Sequence, residues 1–231
     1  MDGARSMGVP SWFLLSPVRA SIDEVFVKTG NLRALHRLEG KELARLGRDE
    51  ASGRLEFKED SVRPLLLDED PLKVASEWDG LVVDYFSKSI RAFLHLYFWK
   101  WGDSTGLGVE IDDQVPFVEP HGMAQGEWLE RFMCSYVHAC GATACVNGRE
   151  WPFGLEPLEP SQLISRWRRY GLPQPPSRGF YMVTAETLSA SDIALLRQRN
   201  DAKANRWLRY FRSPPNYHVL STWSRRDWWA V

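Results

Sequence analysis

Residues 68–102 read DEDPLKVASEWDGLVVDYFSKSIRAFLHLYFWKWG and contain the clearest pattern in the chain. Asp70 is a residue type that caps helices, and Pro71 suits the first helical position. From Val74 onward, apolar side chains recur three or four residues apart until Gly102 is reached. The pattern predicts one long, aromatic-rich helix over about 30 residues, with a kink or break, that forms the spine of the core.

Shorter helices and strands are predicted before this stretch. Ser21 to Glu24 matches a capping box, which predicts a short helix that ends at Gly30. The leucine spacing over residues 31–47 predicts two short helices or one broken helix. Alternating residues predict strands over 12–15, 54–58 and 62–67, and Pro64 places the last of these at a sheet edge or a bulge.

The second half of the chain shows the same mixture of elements. Apolar spacing predicts helices over residues 124–140, 161–171 and 190–212, and strands over 180–184 and 217–223. Hairpins are predicted around Asp112-Asp113 and around Asn147-Gly148. No regular strand–helix–strand rhythm is present. We therefore predict an α+β fold with a mixed or antiparallel sheet packed against several helices.

The domain organisation follows from the proline-rich residues 172–176, the best candidate for a boundary. The segment after them is too short to hold a core of its own. We predict one domain over residues 1–231, with flexible tails at 1–10 and 225–231.

Composition excludes several classes of protein. The chain has 231 residues, 44% of them hydrophobic, and a formal net charge of −1. It is too apolar to be disordered and is not a basic nucleic-acid binder as a whole. No run is apolar enough to span a bilayer, and the first residues lack a secretory core. Three cysteines within twelve positions do not resemble a disulfide framework, so a reduced, cytoplasmic protein is expected.

Charge is distributed unevenly along the chain. Residues 49–84 hold 11 acidic side chains against 4 basic ones, whereas residues 157–231 hold 12 basic against 5 acidic. An acidic face could attract a basic partner. Solvated surfaces and helix-end charges explain the same pattern, and Asp68, Glu69 and Asp70 already suit a helix N-terminus. Both interpretations stay open at this point.

Candidate chemistry is sparse. Cys134, His138, Cys140 and Cys145 are the residue types of a zinc site, but they lack the usual cysteine knuckle spacing, and buried free cysteines are the simpler interpretation. No phosphate-binding, nucleophile-elbow or zinc-protease motif is present. The sequence therefore predicts no catalytic residue, metal or cofactor. If the protein is an enzyme, the first residues to test are His121, Asp112, Asp113 and Cys140.

Aromatic residues are the stronger signal, since the chain holds 11 tryptophans. Tryptophan, tyrosine and arginine are common in the energetic centres of protein interfaces. Together with the carboxylates, they predict a partner-binding surface made of Asp68, Glu69, Trp99, Trp101, Glu110, Asp112, Asp113, Glu119, Trp228 and Trp229.

The segment from Cys140 to Trp151, followed by LEPLEPSQLISRW at 155–167, resembles the immunity proteins of bacterial polymorphic-toxin and type VI secretion systems. The likeness covers about residues 124–200, and no functional residue is carried over from it. It implies a cytoplasmic protein that neutralises a cognate toxin by stoichiometric binding, for example a nuclease with a basic cleft. It implies no direct contact with nucleic acid or membrane. Two alternatives remain: a small enzyme whose site is assembled from dispersed residues, and an adaptor subunit of a secretion or phage assembly.

Overall fold

A sheet of ten strands, in which every pair is antiparallel, carries the fold. The computed structural model describes residues 11–53, 55–66, 70–74, 77–111, 122–148, 160–170, 180–201, 209–213 and 216–221. The strands are β1 (Ser11–Val18), β2 (Leu38–Arg48), β3 (Leu55–Pro64), β4 (Gly80–Ser87), β5 (Ala92–Trp101), β6 (Ser104–Ile111), β7 (Ala144–Gly148), β8 (Phe180–Thr184), β9 (Arg209–Ser213) and β10 (Tyr217–Ser221). The helices are α1 (Ile22–Lys28), α2 (Gly30–Leu35), α3 (Pro71–Val74), α4 (Gly122–Cys140), α5 (Pro160–Tyr170) and α6 (Ala190–Asp201).

The strand order is β3-β2-β4-β5-β6-β1-β7-β8-β10-β9, so the first strand lies inside the sheet. β1 pairs with β6 on one side and with β7 on the other. It therefore joins the strands that precede α4 to those that follow it. The Ser16 hydroxyl accepts hydrogen bonds from the main-chain N–H groups of Thr143 and Ala144 at 2.8 and 3.1 Å, which fastens this junction.

One face of the sheet, called here the helical face, is covered by α1 and α4. Phe98 from β5 and Phe132 and Tyr136 from α4 are fully buried in the large core cluster. The α4 rings of Trp128, Phe132 and Tyr136 follow one another at four-residue spacing, with centroids 5.3 and 5.5 Å apart. The amphipathic helix predicted over 124–140 is confirmed, and its aromatic stripe is the side that meets the sheet.

The long helix predicted over residues 71–101 is wrong. Among the described residues of this range, only α3 is helical, and β4 and β5 form a hairpin whose register runs from Gly80 opposite Trp99 to Ser87 opposite Ala92. Most residues on both sides of these strands are buried, so their apolar residues are nearly continuous, and a continuous run matches helical and strand periods equally well. The valines and aromatics of these strands were the signal that favoured β-structure.

Some of the other predicted helices and strands are confirmed, and others are corrected. The capping box at Ser21 is confirmed by both of its hydrogen bonds, and the strands at 180–184 and 217–221 are also present. The helical prediction for 31–47 holds only for α2, because 38–48 form β2. Asn147 and Gly148 pair with Phe13 and Trp12 instead of forming a turn. Residues 209–213 form β9, so the helix predicted to reach 212 is wrong at that end.

The antiparallel sheet with several helices agrees with the α+β prediction, although strands dominate. The single-domain boundary over 1–231 stays a prediction. Within the part of the chain that the structure describes, no helix has the length and apolar character needed to cross a membrane.

Candidate functional site

A row of polar side chains crosses the face of the sheet opposite the helices, called here the open face. Glu42 on β2 stands opposite Asp84 on β4, Asp84 opposite His95 on β5, and His95 opposite Glu110 on β6. Side chains of directly paired residues lie on the same face and are close neighbours. These four residues, called the acidic row, therefore lie side by side, with neighbouring strands about 4.8 Å apart.

Two short hydrogen bonds order the row. His95 Nδ1 lies 2.6 Å from Asp84 Oδ1, and because a carboxylate can only accept, Nδ1 is the donor. Tyr97 Oη donates to Glu110 Oε2 at 2.7 Å. The His95 and Asp84 side chains keep 26% and 22% of their surface exposed. The row is therefore ordered by its own contacts and still reaches solvent.

Tyr97 is a permanent donor to Glu110. Burial, together with the negative charge and hydrogen bond of Glu110, raises the pKa of the Tyr97 phenol far above its ordinary value. The phenol therefore keeps its proton at every physiological pH, and the Glu110 carboxylate keeps this donor. With three carboxylates and one imidazole, the acidic row presents negative charge to a partner.

Aromatic side chains border the row on both sides. Phe86 and Phe93 are paired across β4 and β5, with ring centroids 5.2 Å apart, and Phe93 is 42% exposed. On the other side, Trp12 and Tyr97 have ring centroids 5.1 Å apart. Carboxylates that stand between a half-exposed phenylalanine pair and a buried aromatic cluster are typical of a protein-binding surface, where apolar anchors are surrounded by polar groups.

The buried aromatic cluster lies next to the row and is built from strands. Its buried members are Ala44, Leu46, Leu55, Val82, Tyr97 and Trp99, with Trp12, Leu14 and Trp101 packed against them. Trp99 fits because Gly106 on β6 has no side chain, and a Cβ there would overlap the indole. Arg48 places its guanidinium carbon 5.7 Å from the centre of the Trp101 ring, a distance typical of a cation–π contact.

The residues predicted to bind a partner lie in different parts of the structure or outside the described residues. Glu110 is a member of the acidic row. Trp99 and Trp101 lie on β5, so their predicted place at a helix end is wrong, and Trp99 is only 2% exposed. Trp101 is partly exposed. Asp68, Glu69, Asp112, Asp113, Glu119, Trp228 and Trp229 lie outside the described residues, as does the enzyme candidate His121.

The cysteines belong to the core of the helical face. Cys134, Cys140 and Cys145 are buried and free, whereas His138 is exposed. Burial raises the pKa of Cys140 to about 12, which keeps this thiol protonated and makes it a poor nucleophile. Among the described residues, no three histidine, cysteine or acidic side chains are arranged to hold a metal ion. The simpler interpretation of these cysteines, as small buried apolar residues, agrees with these positions.

Sequence reasoning missed Asp84, His95 and Phe93 as surface residues, since it placed the segment on one helix. Their signal was the alternation within AFLHLYFWKW at 92–101, where residues 93, 95, 97, 99 and 101 fall on one side of a strand. Which residues lie beside them depends on strand pairing between residues up to 42 positions apart, as for Glu42 and Asp84, and no local pattern encodes it.

Comparison with known proteins adds no relative to these observations. No protein-family model, curated protein or solved structure matches the chain.

Proposed function

We propose that this protein is a bacterial immunity protein. It neutralises a cognate toxin by stoichiometric, non-catalytic association through the acidic and aromatic surface of the open face. The observation that carries the proposal is the acidic row beside the half-exposed Phe86–Phe93 pair. The resemblance of the Cys140–Trp151 segment to immunity proteins supplies the class of partner.

The platform beneath the row suits an inhibitor. Asp84, His95 and Glu110 stand on β4, β5 and β6, which are paired on both sides within the sheet. Their backbones are already ordered by antiparallel ladders before any partner arrives. Binding through such a surface loses little conformational entropy, which favours the high affinity that an inhibitor requires.

In this proposal charge affects the rate of association, and apolar contact affects the rate of dissociation. The carboxylates of the row attract a basic surface and accelerate encounter, since complementary potentials raise association rates. Phe93 supplies apolar area that slows dissociation once it is covered. A toxin with a basic active-site cleft, such as a nuclease, is the partner whose charge this surface complements best.

The decisive experiment pairs the chain with the products of its neighbouring genes, tested one at a time as candidate toxins. Both are expressed in one bacterial host, and growth, co-purification and stoichiometry are measured. We expect the full chain to restore growth and to form a one-to-one complex. Phe93→Ala should raise the Kd about tenfold or more, as expected for an interface anchor. Glu110→Gln should mainly slow association, and its effect should shrink at high salt.

Matched controls lie away from the open face. Leu35 on α2 is 73% exposed, so Leu35→Ala removes a comparable exposed apolar side chain. Glu186→Gln removes an exposed carboxylate from the short 3₁₀ turn after β8. Both variants should bind like the parent chain. Affinity that is unchanged in Phe93→Ala and Glu110→Gln would remove the open face from the interface, and a chain that does not protect the host would reject the immunity role.

A second candidate function rests on the 2.6 Å contact between Asp84 and His95. A carboxylate that orients an imidazole is half of many acid–base sites, and Asp84 and His95 are direct neighbours across the β4–β5 hairpin. If the chain is an enzyme, a substrate must raise its melting temperature by mass action. Melting temperatures that stay constant across nucleotides, metals and common metabolites would contradict this function and leave the binding proposal intact.

A further inference from the structure

A cavity of about 510 Å³ opens on the helical-face side of the sheet, away from the acidic row. It lies between the connection from β1 to α1 and the β5–β6 hairpin, and its inner wall includes Leu72, Trp78 and Leu81. This volume is in the range of sites that hold small molecules. An open groove continues from its mouth toward Arg19 and shares Ser21, Asp103 and Ser104 with it.

Hydrogen bonds fix the segments that surround the cavity, and none of these bonds uses the charged side chains that line it. Thr105 Oγ1 donates to Ala20 O at 2.7 Å and ties the hairpin to the end of β1. The Lys100 main-chain N–H donates to Asp79 O at 2.7 Å. Gly102, with φ of +54°, allows the two-residue turn between Trp101 and Ser104. The cavity is therefore a feature of ordered backbone.

The inner end of the cavity is apolar. Leu81 is buried, and Leu72 and Trp78 are half-buried and packed against the large core cluster. Because these side chains already belong to the core, they are held in place before a ligand arrives. They offer a hydrophobic wall with one indole ring, suited to an aromatic or large aliphatic group.

The mouth of the cavity carries both signs of charge. Lys100, Asp23 and Asp103 contribute to the lining and are exposed. Within the described part of the chain, none of the three takes part in an ion pair. One cation and two carboxylates thus line the cavity, and none of them is held in an ion pair with another described residue.

The charge pattern discriminates between ligand classes. A phosphate compound would meet two carboxylates and one lysine in the cavity, and the adjoining groove adds one charge of each sign, Arg19 and Glu24, so the excess of carboxylates remains. A simple amine would leave Lys100 without a partner, and a simple carboxylic acid would do the same for Asp23 and Asp103. A molecule that carries one carboxylate, one ammonium group and an apolar body offers a partner to Lys100, to the two aspartates and to the apolar inner wall.

We infer that this cavity binds a free α-amino acid with a large apolar side chain. Its carboxylate pairs with Lys100, its ammonium group lies beside Asp103 and Asp23, and its side chain packs on Trp78 and Leu72. The inference stands on the cavity alone and is independent of the proposed toxin binding.

Calorimetric titration of the full chain tests the inference with three compounds that share one phenyl ring. L-Phenylalanine carries both charges, phenethylamine lacks the carboxylate, and 3-phenylpropionate lacks the ammonium group. We expect L-phenylalanine to bind, and each analogue to bind about tenfold more weakly or worse, since each loses one charge-assisted contact. Glycine, which lacks the apolar body, should not bind measurably.

Variants then locate the site. The Lys100 main chain makes the hydrogen bonds to Asp79 and Arg48, so Lys100→Gln leaves them intact. This variant should bind L-phenylalanine and phenethylamine equally. Lys28→Gln, at the exposed end of α1, is the matched control and should keep the preference of the parent chain. Equal binding of the three phenyl compounds by the parent chain, no binding at millimolar concentration, or a Lys100→Gln variant that retains the preference would each overturn the inference.

Discussion

The helical face and the open face of the sheet both bury aromatic residues, but they do so by different means. On the helical face, α1 and α4 supply covering side chains, such as Phe26, whose ring lies 5.6 Å from that of Phe98. On the open face, the residues of the aromatic cluster among the described positions all come from strands. One side of the same strands therefore packs like an ordinary core, and the other combines a small cluster with a polar row.

This difference separates stability from recognition along a single strand. Phe98 is fully buried on the helical face, whereas Phe93, five residues earlier on β5, is 42% exposed on the open face. Residues of opposite parity on one strand face opposite sides of a sheet. β5 thus anchors the core with one set of side chains and presents the other set on the open face, where we propose that a partner binds.

The largest expected effect compares these two phenylalanines directly. Phe98→Ala should lower the free energy of unfolding by about 3–5 kcal/mol, because it leaves a cavity in a packed core. Phe93→Ala should cost about 1–2 kcal/mol, because Phe93 is already 42% exposed and less buried area is lost. Urea unfolding of both variants measures the difference. Equal losses would mean that the two faces are buried to the same extent and would end the comparison.

The second prediction tests how tightly the aromatic cluster of the open face is packed. Gly106→Ala should cost about 1–3 kcal/mol, since the new methyl group overlaps the Trp99 indole. Thermal and urea unfolding of Gly106→Ala, Trp99→Leu and the double variant give the coupling between the two positions. The double variant should be more stable than the sum of the single losses predicts. Simple additivity would show that the indole does not occupy this position.

The third prediction extends the comparison to carboxylates. Asp192, near the start of α6, receives two hydrogen bonds from the Arg168 guanidinium at 2.7 and 2.6 Å and another from the Ser189 main chain at 2.9 Å. Hydrogen bonding by Arg168, followed by that from Ser189, holds the pKa of Asp192 well below its usual range, although burial opposes the shift. Asp192 thus has a structural cause for acid-dependent stability.

A lowered folded-state pKa means that the ionised form stabilises the fold. This contribution is fully present above the unfolded pKa of about 3.9 and is lost as the pH falls from there toward the folded pKa. We expect Asp192→Asn to cost about 2 kcal/mol at pH 7 and to lose less stability than the parent chain between pH 5 and pH 2. If the free energies of unfolding of the two proteins fell by the same amount across this pH range, ionised Asp192 would not be the source of the acid-dependent stability.

The smallest expected effect concerns the polar row itself. Tyr97→Phe removes the donor to Glu110 and should cost about 1 kcal/mol, because Glu110 is partly exposed and water can replace the lost hydrogen bond in part. In Glu110→Gln the amide oxygen can still accept from Tyr97, so this variant should stay closer to the parent chain. A larger cost for Glu110→Gln than for Tyr97→Phe would show that other contacts of Glu110 dominate its role.

Part of the site could be foreseen from the chain alone. Glu110 belongs to the predicted partner-binding surface because carboxylates cluster near it, and an acidic face is one of the two interpretations that the charge distribution leaves open. Its neighbours could not be foreseen, because Asp84 and His95 come from a segment whose apolar residues fit a helix as well as a strand. Both faces of β5 are largely apolar, so alternation of apolar and polar residues marks this strand only weakly.

The sequence by itself determined the elements whose signals are local: the capped start of α1, the amphipathic helix α4 and the strands β8 and β10. Their caps, spacing and β-forming residues act over a few positions, so no distant partner is needed to specify them. Only the tertiary structure decided that β1 lies between β6 and β7, and that Asp84, His95 and Glu110 meet in one row. Strand order and register come from contacts between residues far apart in sequence, and the free energy of burying both faces together selects them.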